Sequence, residues 1–130
     1  MPTVLIVEDD PNQRLLYREE LTYAGYDVLE ASGGQEAICI VEETEVDVVV
    51  LDIAMPGTDG IETLSRILAI DNKIPVILNT AYSSYKDNFM TWAADAYVVK
   101  SSNLSALKQQ IAEVLQKRGI EPAKPTEAEN

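Results

Sequence analysis

The stretch VDVVVLDIAMPGTDG, residues 46–60, decides how the chain is read. An apolar run, broken only by Asp47, ends abruptly in a second carboxylate, Asp52. A Met-Pro-Gly turn follows, and then Asp59-Gly60. A run this short and this rich in valine, closed by turn residues, reads as a strand buried on both faces. Burying a carboxylate at its end is expensive unless a partner offsets the charge. The rest of the sequence has to supply that partner.

Four similar runs flank this one: TVLIVE (3–8), DVLEA (27–31), PVILNT (75–80) and AYVVK (96–100). Their length and β-branching favour strand over buried helix. Helical spacing of apolar residues fills the gaps. It gives helices over 11–24 (Tyr17, Leu21, Ala24), 34–44 (Ala37, Ile38, Val41), 60–70 (Ile61, Leu64, Leu68), 84–93 (Phe89, Trp92, Ala93) and 104–118 (Leu104, Leu107, Ile111, Val114). Asp10-Pro11 is an N-cap followed by proline at the first helical position. Asp59 with Glu62, and Ser84 with Asp87, have the spacing of capping boxes. Strand and helix thus alternate five times, which predicts an α/β domain with a doubly wound parallel sheet. The final stretch, 119–130, has two prolines and no apolar period, and reads as a disordered tail or linker stub after a domain spanning 1–118.

Composition narrows the function. Twenty-two acidic against ten basic side chains give a net charge of −12. Such a surface repels phosphate backbones and anionic lipid, so neither nucleic acid nor membrane is an expected partner. No apolar stretch approaches the ~18 residues of a membrane span, and the N-terminus lacks a basic leader. A cytoplasmic location is expected. The chain has no histidine, which excludes histidine catalysis and histidine metal ligands. Its one cysteine, Cys39, is expected to be a small buried apolar residue.

Parallel strands place their carboxyl ends on one edge of the sheet, where ligands of such folds bind. Here those ends carry Glu8-Asp9-Asp10, Asp52, Asn79-Thr80 and Lys100. Clustered carboxylates need a cation among them. A hard divalent ion such as Mg²⁺, held by carboxylates and waters, suits the set, and Lys100 adds a second positive charge. Taken singly, each residue has a plainer reading. Asp10 and Asp59 are helix caps, Glu8 and Asp9 a solvated turn, Thr80 a satisfied hydroxyl, Lys100 a surface lysine and Tyr97 a core residue. Their joint placement on different strand ends is what points to a site.

VLIVEDDP, LDIAMPGTDG, NTA and ADAYVVK, in this order, resemble the receiver domain of bacterial two-component response regulators, the CheY-like single-domain type. The resemblance covers about residues 2–118. It implies a five-stranded sheet of order 2-1-3-4-5 with five helices, the flavodoxin-like arrangement. It implies that Asp52 is the phosphoacceptor and that Glu8 and Asp9 hold Mg²⁺ together with Asp52 and the backbone carbonyl of Ala54. Thr80 would bind a phosphoryl oxygen, Lys100 would pair with the group, and Tyr97 would be the aromatic switch. The implied donor is a sensor histidine kinase or phosphotransfer protein. With no output domain in view, the implied output is a protein target on the face of the fourth helix, fifth strand and fifth helix. An aspartyl nucleophile with positioned positive charge is consistent with phosphoryl transfer.

The chain departs from the family pattern at several positions. Glu8 replaces the commoner Asp, Ala93 the usual Gly, and Ser101 the usual Pro. Ala54 and Tyr82 occupy positions that influence phosphoryl lifetime in such receivers. Without proline, a cis bond after Lys100 would cost ~2.5–4 kcal/mol, so a trans bond is expected, with Lys100 still reaching the acidic edge. Two enzymatic or cofactor readings fit poorly. A haloacid-dehalogenase-type phosphatase needs a second acid where Ala54 stands, and a flavin carrier would not line its phosphate site with Glu8, Asp9 and Asp10. The remaining alternative is a scaffold receiver that acts by protein contact without phosphorylation.

Overall fold

The computed structural model describes residues 2–53, 60–81, 94–101 and 103–121. Five strands alternate with helices: β1 (Thr3–Val7), β2 (Asp27–Ala31), β3 (Val48–Leu51), β4 (Val76–Thr80) and β5 (Ala96–Val99). The helices among the described residues are α1 (Pro11–Tyr23), α2 (Gly34–Glu43), α3 (Gly60–Ile70) and α4 (Ser105–Lys117). The helix expected over 84–93, with Trp92 and Ala93, lies outside the described residues. So does the Asp59 cap. All pairings are parallel, and the sheet order is β2-β1-β3-β4-β5.

Strand alternation sorts the core into two layers, because successive side chains point to opposite faces. Leu5, Val7, Val49, Leu51, Val76 and Leu78 face α2 and α3. Val4, Ile6, Val48, Val50, Ile77 and Val98 face α1 and α4. Both faces of the sheet are therefore covered, which is why the strands read as continuous apolar runs. Leu64 and Ile67 of α3 are fully buried, and truncating either to alanine costs about 2–5 kcal/mol.

Local chemistry sets the helix ends. Asp10 caps α1, its Oδ1 accepting from the N–H of Asn12 at 2.9 Å and of Gln13 at 3.4 Å. At the other end Gly25 takes a left-handed φ of 101°, while the Tyr26 N–H reaches back to the Leu21 carbonyl. The same closure ends α4, with Gly119 at φ 74° and the Ile120 N–H on the Leu115 carbonyl. Both are Schellman endings, in which the residue after glycine packs on the core. Tyr26 is buried and Ile120 packs against the α1/α4 layer. Residues 119 and 120, placed in the tail by sequence, thus belong to the helix cap; residues 122–130 lie outside the described residues.

Cys39 is exposed, contrary to the expectation of burial. Ala37 and Ile38 already occupy the inward stripe of α2, with Val41 beside them. At 100° per residue, position 39 is turned away from that stripe.

α3 starts in van der Waals contact with the backbone that follows Asp52. A Cβ on Gly60 would lie 2.2 Å from Ile53 Cα and 2.5 Å from its carbonyl oxygen. Gly60→Ala is expected to destabilise the fold by about 3 kcal/mol, since rigid backbone cannot yield. Gly119→Ala meets nothing within 4 Å and is expected to cost only the ~1–2 kcal/mol of a left-handed alanine. Urea midpoints of the two variants check this order; equal midpoints would refute the close-approach account.

Candidate functional site: the acidic edge

The site is an extension of the strand ladders. One residue beyond each strand, the backbone still makes the next ladder bond. Glu8 N–H donates to Ala31 O, Asp52 N–H to Val7 O and Lys100 N–H to Thr80 O at 2.7 Å. Alternation therefore continues, and Glu8, Asp52 and Lys100 all project on the α1/α4 side of the sheet edge. Lys100 starts two strands away from Asp52, a backbone separation of about 10 Å at ordinary strand spacing. Its four-carbon stem covers that gap. The ammonium donates to Glu8 Oε1 at 2.5 Å and to Asp52 Oδ2 at 2.8 Å. The described residues contain no cis peptide bond, so Lys100-Ser101 is trans, as expected, and the lysine still reaches the acidic pair.

Glu8 and Asp52 are 2% and 6% exposed, so both carboxylates are buried. Burial pushes the Glu8 carboxyl above its ordinary value, against the opposing hydrogen bonds from Lys100 and the Asp10 N–H. Burial alone would lower Lys100, but its hydrogen bonds to Asp52 and Glu8 outweigh that and raise it. Asp9 is partly exposed beside them. One carboxylate oxygen from each of Glu8, Asp9 and Asp52 lies within 4.8 Å of the others. This all-oxygen set of three carboxylates fits Mg²⁺, which accepts a few carboxylates and keeps waters for its remaining positions.

A cavity of about 220 Å³ opens above these groups, and Asp10, Gln13 and Ala81 complete its described lining. Asp10 serves as the helix cap, the plainer of its two readings. Thr80 is fully buried at the end of β4, one residue before Ala81. Register places Leu78 beside Tyr97 and Thr80 beside Val99, so Thr80 and Tyr97 share one sheet face. Tyr97 is half-buried against the α2/α3 layer. Ala54 and Tyr82 lie outside the described residues.

Sequence reasoning missed three neighbours. Arg14 Nη1 donates to the Glu8 carbonyl at 2.8 Å, and its Nε pairs with Glu30 at 3.6 Å, tying the acidic turn to β2. Gln13 lines the cavity, and buried Tyr17 donates its hydroxyl to Gln13 Oε1 at 3.1 Å. Tyr17 gave an apolar helical signal only. Arg14 and Gln13 carry no apolar or motif signal, because their roles depend on how α1 docks.

A model of the response regulator receiver domain matches residues 4–112, and the chain belongs to this family of signalling domains. The chain is 36% identical over 120 residues to the transcriptional regulatory protein PrrA of Mycobacterium leprae, covering 91% of this chain and 52% of that protein. It is 43% identical over 79 residues to sporulation initiation phosphotransferase F of Bacillus subtilis, covering 61% of this chain and 64% of that one. The chain spans about half the length of the first of these relatives. Among solved structures, response regulator TrrA of Thermotoga maritima in complex with Mg²⁺-BeF is 42% identical, with a TM-score of 0.85 over 88% of this chain and 100% of that one. TrrA in complex with the histidine kinase ThkA matches with the same identity and a TM-score of 0.83, over 88% of this chain and 99% of that one.

The raised Glu8 carboxyl gives a pH prediction for the metal-free protein. A group raised in the folded state favours folding below its unfolded value and loses that contribution as pH rises through the folded value. Glu8→Gln, which keeps the acceptor for the Asp10 N–H, is therefore expected to stabilise the fold at pH 7. The advantage should shrink as pH falls toward 4.5, the ordinary glutamate value. Urea unfolding of both proteins in chelator from pH 7 to 4 tests this; a pH-independent difference would show that burial of the charge is not the cause.

Proposed function

We propose that the protein is a phosphorylation-dependent signalling switch whose phosphoacceptor is Asp52. The observation that carries the reading is the convergence of Glu8, Asp9, Asp52 and Lys100 on one cavity. The family membership and the similarity to a regulator solved with Mg²⁺-BeF support it. Glu8, Asp9, Asp52 and the Ala54 carbonyl would hold Mg²⁺, which when bound supplies positive charge against the phosphoryl oxygens.

The chain's own residues do the rest. An Asp52 carboxylate oxygen forms a bond to phosphorus while the bond from phosphorus to the donor nitrogen breaks, and the imidazole leaves with that electron pair. Lys100, already on Asp52 Oδ2, is placed to meet the added negative charge. The Thr80 hydroxyl gains a strong acceptor at the strand end. Tyr97, on the same face, moves into the space that Thr80 vacates. The donor would be a phosphohistidine on a sensor histidine kinase or phosphotransfer protein, and the location the cytoplasm. The output would be a protein contact on a face that includes β5 and α4, where Val99 is exposed. The chemistry in this reading stops at phosphoryl transfer to Asp52 and hydrolysis of the product, with no separate substrate.

Incubation with acetyl phosphate and Mg²⁺ is expected to add ~80 Da, one phosphoryl group, whose charge is the signal. Asp52→Ala and chelation of Mg²⁺ should each abolish the adduct. Backbone amide shifts should follow phosphorylation around residues 80–100. An unlabelled wild type would favour the scaffold alternative, while a label without those shifts would refute the Thr80–Tyr97 coupling.

A further inference from the structure

The cavity above Asp52 is lined mostly by carboxylates, yet the group it is proposed to receive is itself an anion. Its described walls offer two side chains with N–H donors: Lys100 and Gln13. Lys100 is engaged with Glu8 and Asp52. Gln13 is half-buried in the first turn of α1.

A buried chain of hydrogen bonds fixes which way the Gln13 carboxamide faces. Asn79, the penultimate residue of β4, is 3% exposed, and its side chain hydrogen-bonds the Tyr17 hydroxyl. Tyr17, also 3% exposed, donates its own proton to Gln13 Oε1. Tyr17 lies one turn further into α1, away from the cavity. With Oε1 taken by Tyr17, Nε2, the other branch of the planar amide, is the arm of Gln13 left to serve the cavity that the residue lines. Burial raises the Tyr17 hydroxyl above its ordinary value, so it stays protonated and keeps donating. Phenylalanine would fill the same apolar space, and a buried hydroxyl costs free energy unless partnered. The hydroxyl therefore has work beyond packing.

We propose that Gln13 donates its carboxamide N–H to the phosphoryl group of the incoming donor, and that Tyr17 and Asn79 are positioning residues that hold the amide in that orientation. This rests on the assignment of Asp52 as phosphoacceptor. Gln13 supplies a neutral donor where a further cation would compete with Lys100 for the carboxylates. It forms and breaks no covalent bond. Its contribution is to capture the anionic donor in an acidic cavity.

The test is the initial rate of adduct formation on the whole chain, with Mg²⁺, as a function of acetyl phosphate concentration. Gln13→Met keeps the length and helix propensity and removes the donors. It is expected to raise the half-saturating concentration about ten- to a hundredfold, the range of one hydrogen bond to a charged group, with little change in the saturating rate. Tyr17→Phe should raise it less. The double variant should match Gln13→Met alone, since Tyr17 acts only through Gln13. Gln13→Glu, which replaces the donor by a charge, should be worse than Gln13→Met. An unchanged half-saturation in Gln13→Met, or additive effects in the double variant, would overturn the proposal while leaving Asp52 labelled. Should Gln13→Met fail to fold, Tyr17→Phe decides alone: unchanged half-saturation overturns it. No adduct on the wild type overturns the Asp52 assignment and this inference with it.

Discussion

The Lys100 ammonium, wedged between Glu8 and Asp52, is the contact on which the rest of the edge depends. β1 and β3 are neighbours in the sheet, so their ends bring two buried carboxylates side by side. Two like charges held side by side out of water repel unless a cation stands between them. Lysine from β5 removes the conflict without covering the cavity, because it arrives along the sheet edge from the far side. Buried ion pairs of this kind are weak sources of stability, since desolvation consumes much of their Coulomb energy. A hydrophobic trio would have served a purely structural edge as well. The charged set is better explained by what it can do.

Strand alternation then divides the labour. Glu8, Asp52 and Lys100 continue the face that packs on α1 and α4. Asn79 belongs to that face as well, through its bond to Tyr17. Thr80, one residue on, belongs to the opposite face with Tyr97. The last two residues of β4 thus send one side chain to the cavity wall built by α1 and the other to the layer under α2 and α3. On the proposed function, a charge added to Asp52 would act on both, because a single short strand carries them. Gly60 keeps this edge rigid by letting α3 rest on the Ile53 backbone, so Asp52 is flanked by fixed main chain.

Much of this was legible because it depends on short-range rules. Valine-rich runs closed by turn residues gave the five strands, and polar residues at their ends gave Glu8, Asp9, Asp52, Thr80 and Lys100. Asp10-Pro11 announced the start of α1. What was not legible depends on how elements dock. Cys39 reads as apolar, but only the rotation of α2 decides that Ala37 and Ile38 face inward and Cys39 does not. Gln13, Arg14 and Tyr17 reach the acidic edge only once α1 docks beside β1 and β2. Gly119-Ile120 resembled a tail because a Schellman closure is a hydrogen-bond pattern, and its single apolar residue carries no period.

The choice of glutamate at position 8 links these points. Its two oxygens take different partners: Oε1 receives Lys100, and Oε2 receives the Asp10 N–H at 3.2 Å. The same Asp10 caps α1 through its own carboxylate. Glu8 is therefore tied at once to β5 and to the start of the helix that carries Gln13 and Tyr17. An aspartate, one methylene shorter, would bring its carboxylate nearer the backbone and further from the lysine. The longer side chain lets the acidic edge hold its shape with lysine as its internal cation. A divalent ion at Glu8, Asp9 and Asp52 would compete with Lys100 for the Glu8 and Asp52 carboxylates.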